Sequence, residues 1–262
     1  MTRVTQYQIQ PSAQRPAPRL TIAALADFHC NRPFMTVDHV AALVAQTNAL
    51  SPDLILMLGD YAGHVFLGRE LEPDVVAQAL AGLDAPLGVH AVFGNHDWYS
   101  DPGAKADKAP TVWHKAFEAA GIATYSNSAM TLATDPPITL AGLESQRALH
   151  EPKQPIPCGF DDWPALADTL DPKIFTLLMA HEPDIFPDLP NWVDLTLSGH
   201  THGGQIAPFG IPLVVPSRYG RRYAYGHKRE GDKQLIVSGG LGCSSLPIRI
   251  GRPPEIVMVE LI

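Results

Sequence analysis

The sequence has 262 residues, of which 45% are hydrophobic and 18% charged, and its formal net charge is −8. This is the composition of an ordinary globular chain that is long enough to bury a large core. The acidic balance argues against a general nucleic-acid-binding surface, because such a surface needs clustered basic residues to neutralise phosphates.

Short apolar runs alternate with helical patterns in the first half of the chain. Residues 1–18 are polar and rich in Gln and Pro, and predict an extended lead-in over the surface. The apolar runs that predict buried strands lie at 20–26, 54–58 and 89–93. Apolar periodicity predicts helices over 37–50 and 73–83, the second of which begins with proline. This order is typical of βαβ units.

The second half of the chain is richer in predicted strands. They lie at 138–143, 174–179, 195–198, 234–237 and 256–261. A long excursion over 98–127 contains one predicted helix, at 111–120. Composition does not shift as it would at a linker, so we expect a single domain over residues 19–262.

Polar side chains that can bind metals follow the ends of five predicted strands. In chain order they are Asp27 and His29, Asp60, Asn95, His181, and His200 with His202. The sites of open α/β sheets lie at the carboxyl ends of the strands, so we expect these side chains to meet at one rim.

The residue types indicate which metal ions would bind. Two carboxylates, one amide and four imidazoles suit Mn, Fe or Zn, whereas Mg prefers a shell made only of oxygen. One ion rarely takes seven protein ligands. Two ions that share a carboxylate would use them all, at a separation of about 3.5–4 Å. The sequence therefore predicts two divalent ions.

Each motif taken alone is weak, but their order is specific. Asp27/His29, Gly59/Asp60, Gly94/Asn95/His96/Asp97, His181 and Gly199/His200/His202 reproduce the series D-x-H, G-D, G-N-H-[D/E], H and G-H-x-H. From about residue 20 onward the chain resembles the calcineurin-like metallophosphoesterases. The stretches 200–205, 218–220 and 240–242 are similar to a bacterial subgroup with a GHTHGGQ motif, whose members are often membrane-associated or exported and of which some hydrolyse a UDP-diacylglucosamine lipid.

The resemblance implies a fold and a set of roles. The fold would be a four-layer α/β/β/α sandwich. Asp27, His29 and His202 would hold one ion, Asn95, His181 and His200 the other, and Asp60 with a water-derived hydroxide would bridge the two. His96 would stabilise or protonate the departing oxygen as a general acid. For Asp97, the sequence favours a structural role, in which its carboxylate accepts hydrogen bonds from backbone amides of the turn.

One stretch departs from the family pattern and bears on the substrate. Many relatives continue G-D-x-x-D-R, where the Asp orients the catalytic histidine and the Arg binds phosphate oxygens. Here the matching positions are Gly63 and His64. His64 is a weaker substitute for arginine, and Arg218 is a second candidate for substrate contact.

The expected function is hydrolysis of a phosphodiester or pyrophosphate bond in a small-molecule or lipid-linked substrate. Two alternatives stay open: a phosphomonoesterase or protein phosphatase on the same fold, and a metal-binding scaffold without catalysis.

Cysteine spacing and hydropathy bear on the chain's environment. Cys30, Cys158 and Cys243 show no CxxC spacing, which fits neither a disulfide framework nor a thiolate zinc site. No apolar run approaches the roughly 18 residues of a membrane span, and the N-terminus has no signal-peptide h-region. The sequence leaves the compartment open, between the cytoplasm and the periphery of a bacterial inner membrane.

Overall fold

The computed structural model describes residues 2–150 and 158–262. Its strands are β1 (Arg3–Ile9), β2 (Leu20–Leu25), β3 (Asn31–Arg32), β4 (Leu54–Met57), β5 (Arg69–Glu70), β6 (Val89–Ala91), β7 (Ala123–Thr124), β8 (Ser128–Leu132), β9 (Ile138–Leu143), β10 (Phe175–Ala180), β11 (Val193–Ser198), β12 (Gly226–Glu230), β13 (Lys233–Val237) and β14 (Glu255–Leu261). The α-helices are α1 (Val37–Asn48), α2 (Pro73–Leu80), α3 (Asn95–Tyr99), α4 (Pro102–Asp107), α5 (Val112–Ala119) and α6 (Trp163–Ala167).

Two six-stranded sheets form the centre of the molecule. The strand order is β1-β14-β2-β4-β6-β7 in the first sheet and β12-β13-β11-β10-β9-β8 in the second. The inner strands of each sheet run parallel: β2, β4 and β6 in the first, and β9, β10, β11 and β13 in the second. Parallel strands that are covered on both faces read as continuous apolar runs, which is why the sequence predicted them.

Three apolar cores separate four layers. Helices α1, α2 and α5 pack on the first sheet through side chains such as Val40, Val76 and Phe117. The two sheets pack against each other in a second core. A thin outer layer, made of α6 and the 3-10 helix Pro183–Asp188, covers the second sheet through a third core. Each fully buried large apolar side chain contributes about 1.5–3 kcal/mol, so these cores fix the sandwich. The predicted four-layer α/β/β/α fold is confirmed.

Local signals set where the helices begin. The Thr36 hydroxyl accepts from the backbone N–H of His39 at the start of α1, and Pro73 occupies the first turn of α2. The predicted helices over 37–50 and 73–83 are both present and end two and three residues earlier, at Asn48 and Leu80.

The predicted surface lead-in differs from the structure. Residues Arg3–Ile9 form β1, the edge strand of the first sheet, and pair in parallel with β14. Farther along, the Arg15 guanidinium lies 2.9 Å from the Asp194 carboxylate. An edge strand with one partner buries little apolar surface, so the exposed Gln6 and Gln8 alternate with Tyr7 and Ile9 and the strand signal is weak. Within residues 2–150 and 158–262, no helix is long and apolar enough to cross a membrane.

Candidate functional site

The seven expected metal ligands meet at one rim of the sandwich. Asp27 and His29 follow β2, Asp60 follows β4, Asn95 follows β6, His181 follows β10, and His200 and His202 follow β11. All seven are buried, with exposed fractions between 0% and 6%. The carboxyl ends of parallel strands from both sheets therefore deliver the whole set to a single place.

The donor atoms fall into two groups joined by Asp60. Asp27, His29 and His202 bring ligand atoms within 4.8 Å of one another, and so do Asp60, His181 and His200. The Asp60 Oδ2 atom lies 3.6 Å from His29 Nε2 and 3.1 Å from His181 Nε2. The carboxylate of Asp60 thus stands between the two groups, where a shared ligand would be needed.

Backbone carbonyls fix the orientation of three of the histidine rings. The contacts are His29 Nδ1 with the Ala62 carbonyl at 3.0 Å, His181 Nδ1 with the Leu58 carbonyl at 2.7 Å, and His200 Nε2 with the Pro216 carbonyl at 2.9 Å. A ring nitrogen facing a carbonyl must carry the proton, so the opposite nitrogen keeps its lone pair. The ring nitrogens left to bind a metal are His29 Nε2, His181 Nε2 and His200 Nδ1, and such carbonyl contacts on the other nitrogen are usual for metal-binding histidines.

Three buried ligand atoms at this rim have no hydrogen-bond partner among the residues that the structure describes. They are Asp27 Oδ2, Asn95 Oδ1 and His200 Nδ1. Buried polar atoms are nearly always paired, because an unpaired one costs free energy. Oxygen and imidazole nitrogen atoms in these positions fit divalent cations such as Mn, Fe or Zn.

Burial sets the charge of the site. It lowers the pKa of His29 to about 3, and it lowers the pKa values of His200 and His202 well below their usual range. These rings are therefore neutral and able to bind a metal. Burial also raises the pKa of Asp27 to about 7. A buried carboxylate of this kind needs a cation to stay ionised.

Asp60 and His181 form a tightly coupled pair within this site. Burial alone would raise the pKa of Asp60, but the imidazoles of His181, His96 and His29 together more than offset this and hold it well below its usual range. The carboxylate in turn raises the pKa of His181. The side chain of Asp60 is therefore an anion.

The backbone is strained at most of these positions. Asp27, His29, Asp60, His200 and His202 all have positive φ, between 45° and 67°. For residues other than glycine this left-handed conformation costs on the order of 1–3 kcal/mol each, and it persists only where the surroundings enforce it. Five strained residues at one rim indicate a functional site.

Glycines let the chain pack closely around the two aspartates. A Cβ atom on Gly94 would collide with the Asp60 carboxylate, and one on Gly240, which has a φ of 75°, would lie 2.8 Å from the Asp27 side chain. Both glycines belong to motifs of the sequence, and they leave room for the carboxylates.

Asp97 holds the loop that carries Asp60. Its Oδ1 atom accepts from the backbone N–H groups of Tyr61 and Ala62, and its Oδ2 atom from those of Asp60 and Gly94. The distances are between 2.8 and 3.0 Å. The interpretation of Asp97 as a residue that bonds turn amides is confirmed.

We expect Asp97→Asn to destabilise the protein. The amide NH2 group of asparagine would face two backbone N–H donors that need an acceptor, at a cost of about 1–3 kcal/mol for each of them. Urea unfolding measures the loss as a lower midpoint. Asp162→Asn is the matched control, because Asp162 caps α6 through a single acceptor bond to Ala165 and asparagine caps helices equally well. An Asp97→Asn midpoint within error of the control would contradict this role.

The catalytic candidate His96 lies beside the first group of donors. Its ring centre is 4.8 Å from that of His29, and its backbone N–H donates to Asp60 Oδ1 at 2.9 Å. Burial lowers the pKa of His96, whereas the Asp60 carboxylate acts to raise it. His96 also lines the large cavity next to the donors, so a substrate could reach it.

That cavity has a volume of about 920 Å³. Asp60, Asn95, His96, His200 and His202 lie at its polar end. The lining also includes the apolar side chains of Ile206, Leu213, Val214 and Leu246. The volume suits a ligand much larger than a phosphate ion, with a polar and an apolar part.

The two expected substrate contacts, His64 and Arg218, are not among the residues that line this cavity. His64 is exposed next to Gly63, which has no room for a side chain because a Cβ atom there would collide with the His29 backbone. Arg218 lines a separate cavity of about 180 Å³, and its guanidinium lies 2.7 Å from the Asp188 carboxylate. The structure does not bring Arg218 to the cavity that holds the metal-ligand candidates.

Two arginines that the sequence analysis did not single out lie close to the site. Arg147 lines both cavities. Arg249 lies 3.1 Å from His202 Nδ1 and donates to the carbonyls of Gly239 and Gly242. Neither position belongs to a motif, so only the folded chain reveals them.

Comparison with known proteins identifies the family. The family model described as calcineurin-like phosphoesterase matches residues 20–204. This chain belongs to that family. It is therefore a metal-dependent phosphoester hydrolase, and the family uses divalent metal ions. The matched region contains all seven candidate ligands as well as His96.

Individual relatives cover most of this phosphoesterase. An uncharacterised metallophosphoesterase of Bacillus subtilis, YkuE, is 30% identical over 92% of this chain and 78% of its own length. The phosphodiesterase YaeI of Escherichia coli is 30% identical over 92% of this chain and 82% of its own length. The crystal structure of TT1561 of Thermus thermophilus has a TM-score of 0.50 at 12% identity, covering 85% of this chain and 90% of that one. This last likeness concerns the fold alone.

Proposed function

We propose that this phosphoesterase is a phosphodiesterase with two divalent ions, which are Mn, Fe or Zn rather than Mg. Asp27, His29 and His202 hold the first ion, Asn95, His181 and His200 hold the second, and Asp60 is shared. The observation that carries this proposal is the set of three unpaired buried ligand atoms of Asp27, Asn95 and His200, which include ligands proposed for both ions. Bound ions of this kind supply Lewis acidity, which activates water and neutralises charge on the phosphoryl group.

The residues of the chain perform three tasks in this proposal. Asp60 and the outer carbonyl partners hold the ligand atoms in place before the substrate arrives. Asp97 keeps the Asp60 loop in its strained conformation. A ring nitrogen of His96 donates a proton to the departing oxygen of the ester, so that it leaves as an alcohol.

The loop after Asp60 supports a diester as the substrate. A monoester dianion benefits most from an arginine beside the metals, which presents a rigid two-pronged donor. Here Gly63 is packed against the backbone of His29 and the next residue is the exposed His64. A diester carries one negative charge, which two bound ions would neutralise without an arginine. One relative, YaeI, is named a phosphodiesterase.

The shape of the cavity bears on the rest of the substrate. The apolar side chains of its lining suit an apolar organic group, such as an aryl or acyl group. Such a group could belong to a small-molecule or a lipid-linked phosphoester. The scaffold alternative is disfavoured because every one of the seven ligand positions carries a competent donor.

A comparison of two chromogenic esters tests the proposal. We expect bis(p-nitrophenyl) phosphate to be hydrolysed with a higher kcat/KM than p-nitrophenyl phosphate by the manganese-loaded enzyme in one buffer. A monoester preference of about tenfold, or ~1.4 kcal/mol in the barrier, would favour the phosphomonoesterase alternative. Absence of turnover on both esters with metal bound would favour the scaffold.

A further inference from the structure

The large cavity has a cationic side chain that the metal-site proposal does not use. Among the described residues that line it, Arg147 and Lys105 carry fixed positive charges. The Lys105 Nζ atom lies 5.2 Å from the centre of the Tyr99 ring. Arg147 is half-buried and also lines the smaller cavity next door. It therefore lies where the two cavities meet.

The loop that carries Arg147 is fastened to both sides of the site. The Tyr99 hydroxyl, on the same helix as His96, donates to the Arg147 carbonyl at 2.8 Å. On the other side, the Glu182 carboxylate, next to His181, accepts from the Ser145 hydroxyl at 2.6 Å and from the Gln146 N–H at 2.9 Å. Hydrogen bonds on both sides fix the backbone from which the Arg147 side chain extends, and a specific contact requires such a fixed backbone.

Other arginines near the site are already occupied. Arg218 is paired with Asp188 at 2.7 Å, and Arg249 donates to the carbonyls of Gly239 and Gly242. By contrast, no carboxylate within residues 2–150 and 158–262 lies within 4.0 Å of the Arg147 guanidinium. A half-buried guanidinium without a carboxylate partner, facing a cavity, suits an anionic ligand.

We propose that Arg147 binds a second anionic group of the substrate, such as a phosphate next to the one that is cleaved. The inference rests on the proposed function, in which the two ions would neutralise the charge of the scissile diester. The tethers of the Arg147 loop, Glu182 and Tyr99, follow His181 by one residue and His96 by three. Arg147 lines the same cavity as His96 and His200, and the volume of about 920 Å³ leaves room for an anionic group next to the scissile phosphoryl group.

Substrates with one and with two anionic groups test this assignment. The manganese-loaded full chain is assayed on bis(p-nitrophenyl) phosphate, which has one anionic group, and on a dinucleoside pyrophosphate, which has two. In Arg147→Met we expect kcat/KM to fall about 10- to 100-fold on the pyrophosphate. This fold-change corresponds to the loss of one hydrogen bond to a charged group. We expect most of that loss in KM and little change on the single-anion ester. Arg147→Lys should recover part of the lost kcat/KM, because lysine keeps the positive charge but lacks the two parallel N–H donors of the guanidinium.

Controls separate this inference from the proposed function. Arg221→Met removes an exposed arginine and should behave as the wild type. Elemental analysis should find the same metal content in all variants, which excludes an indirect effect on the ions. Equal losses on both substrates, no loss beyond that of Arg221→Met, or failure of the active wild type to hydrolyse the pyrophosphate would each overturn the role of Arg147. If the metal-loaded wild type hydrolyses neither substrate, the proposed function itself fails.

Discussion

Asp60→Asn should lower the metal content of both sites and reduce activity on the order of a thousandfold, well beyond the 10- to 100-fold typical of an outer-shell partner. Asp60 is the carboxylate that stands between the two donor groups, with one oxygen atom 3.6 Å from His29 Nε2 and 3.1 Å from His181 Nε2. Asparagine keeps the shape but removes the negative charge. Its single carbonyl oxygen cannot offset the charge of two divalent ions.

His29→Ala provides the comparison for this experiment. His29 belongs to the first group together with Asp27 and His202, whereas His200 and His181 form the second group with Asp60. We therefore expect His29→Ala to lose about one ion per chain and Asp60→Asn to lose both. Elemental analysis after gel filtration measures the metal content, and thermal unfolding checks that each variant folds. Two ions per chain and retained activity in Asp60→Asn would refute the shared-ligand role.

The order of strands and the candidate ligands were accessible from sequence for a common reason. Inner parallel strands are covered on both faces, so β2, β4 and β10 appear as uninterrupted apolar runs that end at Asp27, Asp60 and His181. The end of such a run marks the rim of the sheet. Residue type and strand position together were enough to place the ligands at one rim, although they could not give distances.

Edge elements gave no comparable signal. Strands β1, β8 and β12 lie at the edges of the two sheets and contain several exposed or half-exposed residues, so their sequences read as polar loops. The two-residue strands β3 and β5 are too short to produce any pattern. Their pairing depends on contacts distant in sequence.

Substrate contacts were the least predictable part of the site. Arg218 follows the GHTH turn by sixteen residues, which made it a candidate, but its guanidinium is taken up by Asp188, thirty residues earlier in the chain. Arg147 belongs to no motif and reaches the cavity only because Tyr99 and Glu182 tether its loop. Loop residues of this kind are placed by tertiary contacts that no local pattern encodes.

His96→Ala should reduce activity more on esters with a basic leaving group than on esters with a weakly basic one, because a basic leaving group needs a proton to depart. General acids contribute about 10²–10⁴-fold, and the contribution is largest for a basic leaving group. An alkoxide leaves poorly without a proton, whereas nitrophenolate leaves well. We therefore expect a loss of about 10²–10⁴-fold on an alkyl diester and a much smaller loss on bis(p-nitrophenyl) phosphate.

The surroundings of His96 allow this experiment to separate chemistry from structure. The His96 backbone N–H, which donates to Asp60 Oδ1, is unchanged by the substitution, so the metal-ligand loop keeps that contact. His227→Ala is the matched control, because it removes the imidazole of an exposed histidine in β12 that does not line the cavity. Metal content should equal that of the wild type in both variants. Equal losses on the alkyl and nitrophenyl esters would assign His96 to binding or folding, whereas a loss confined to the alkyl ester would place the transferred proton on its ring.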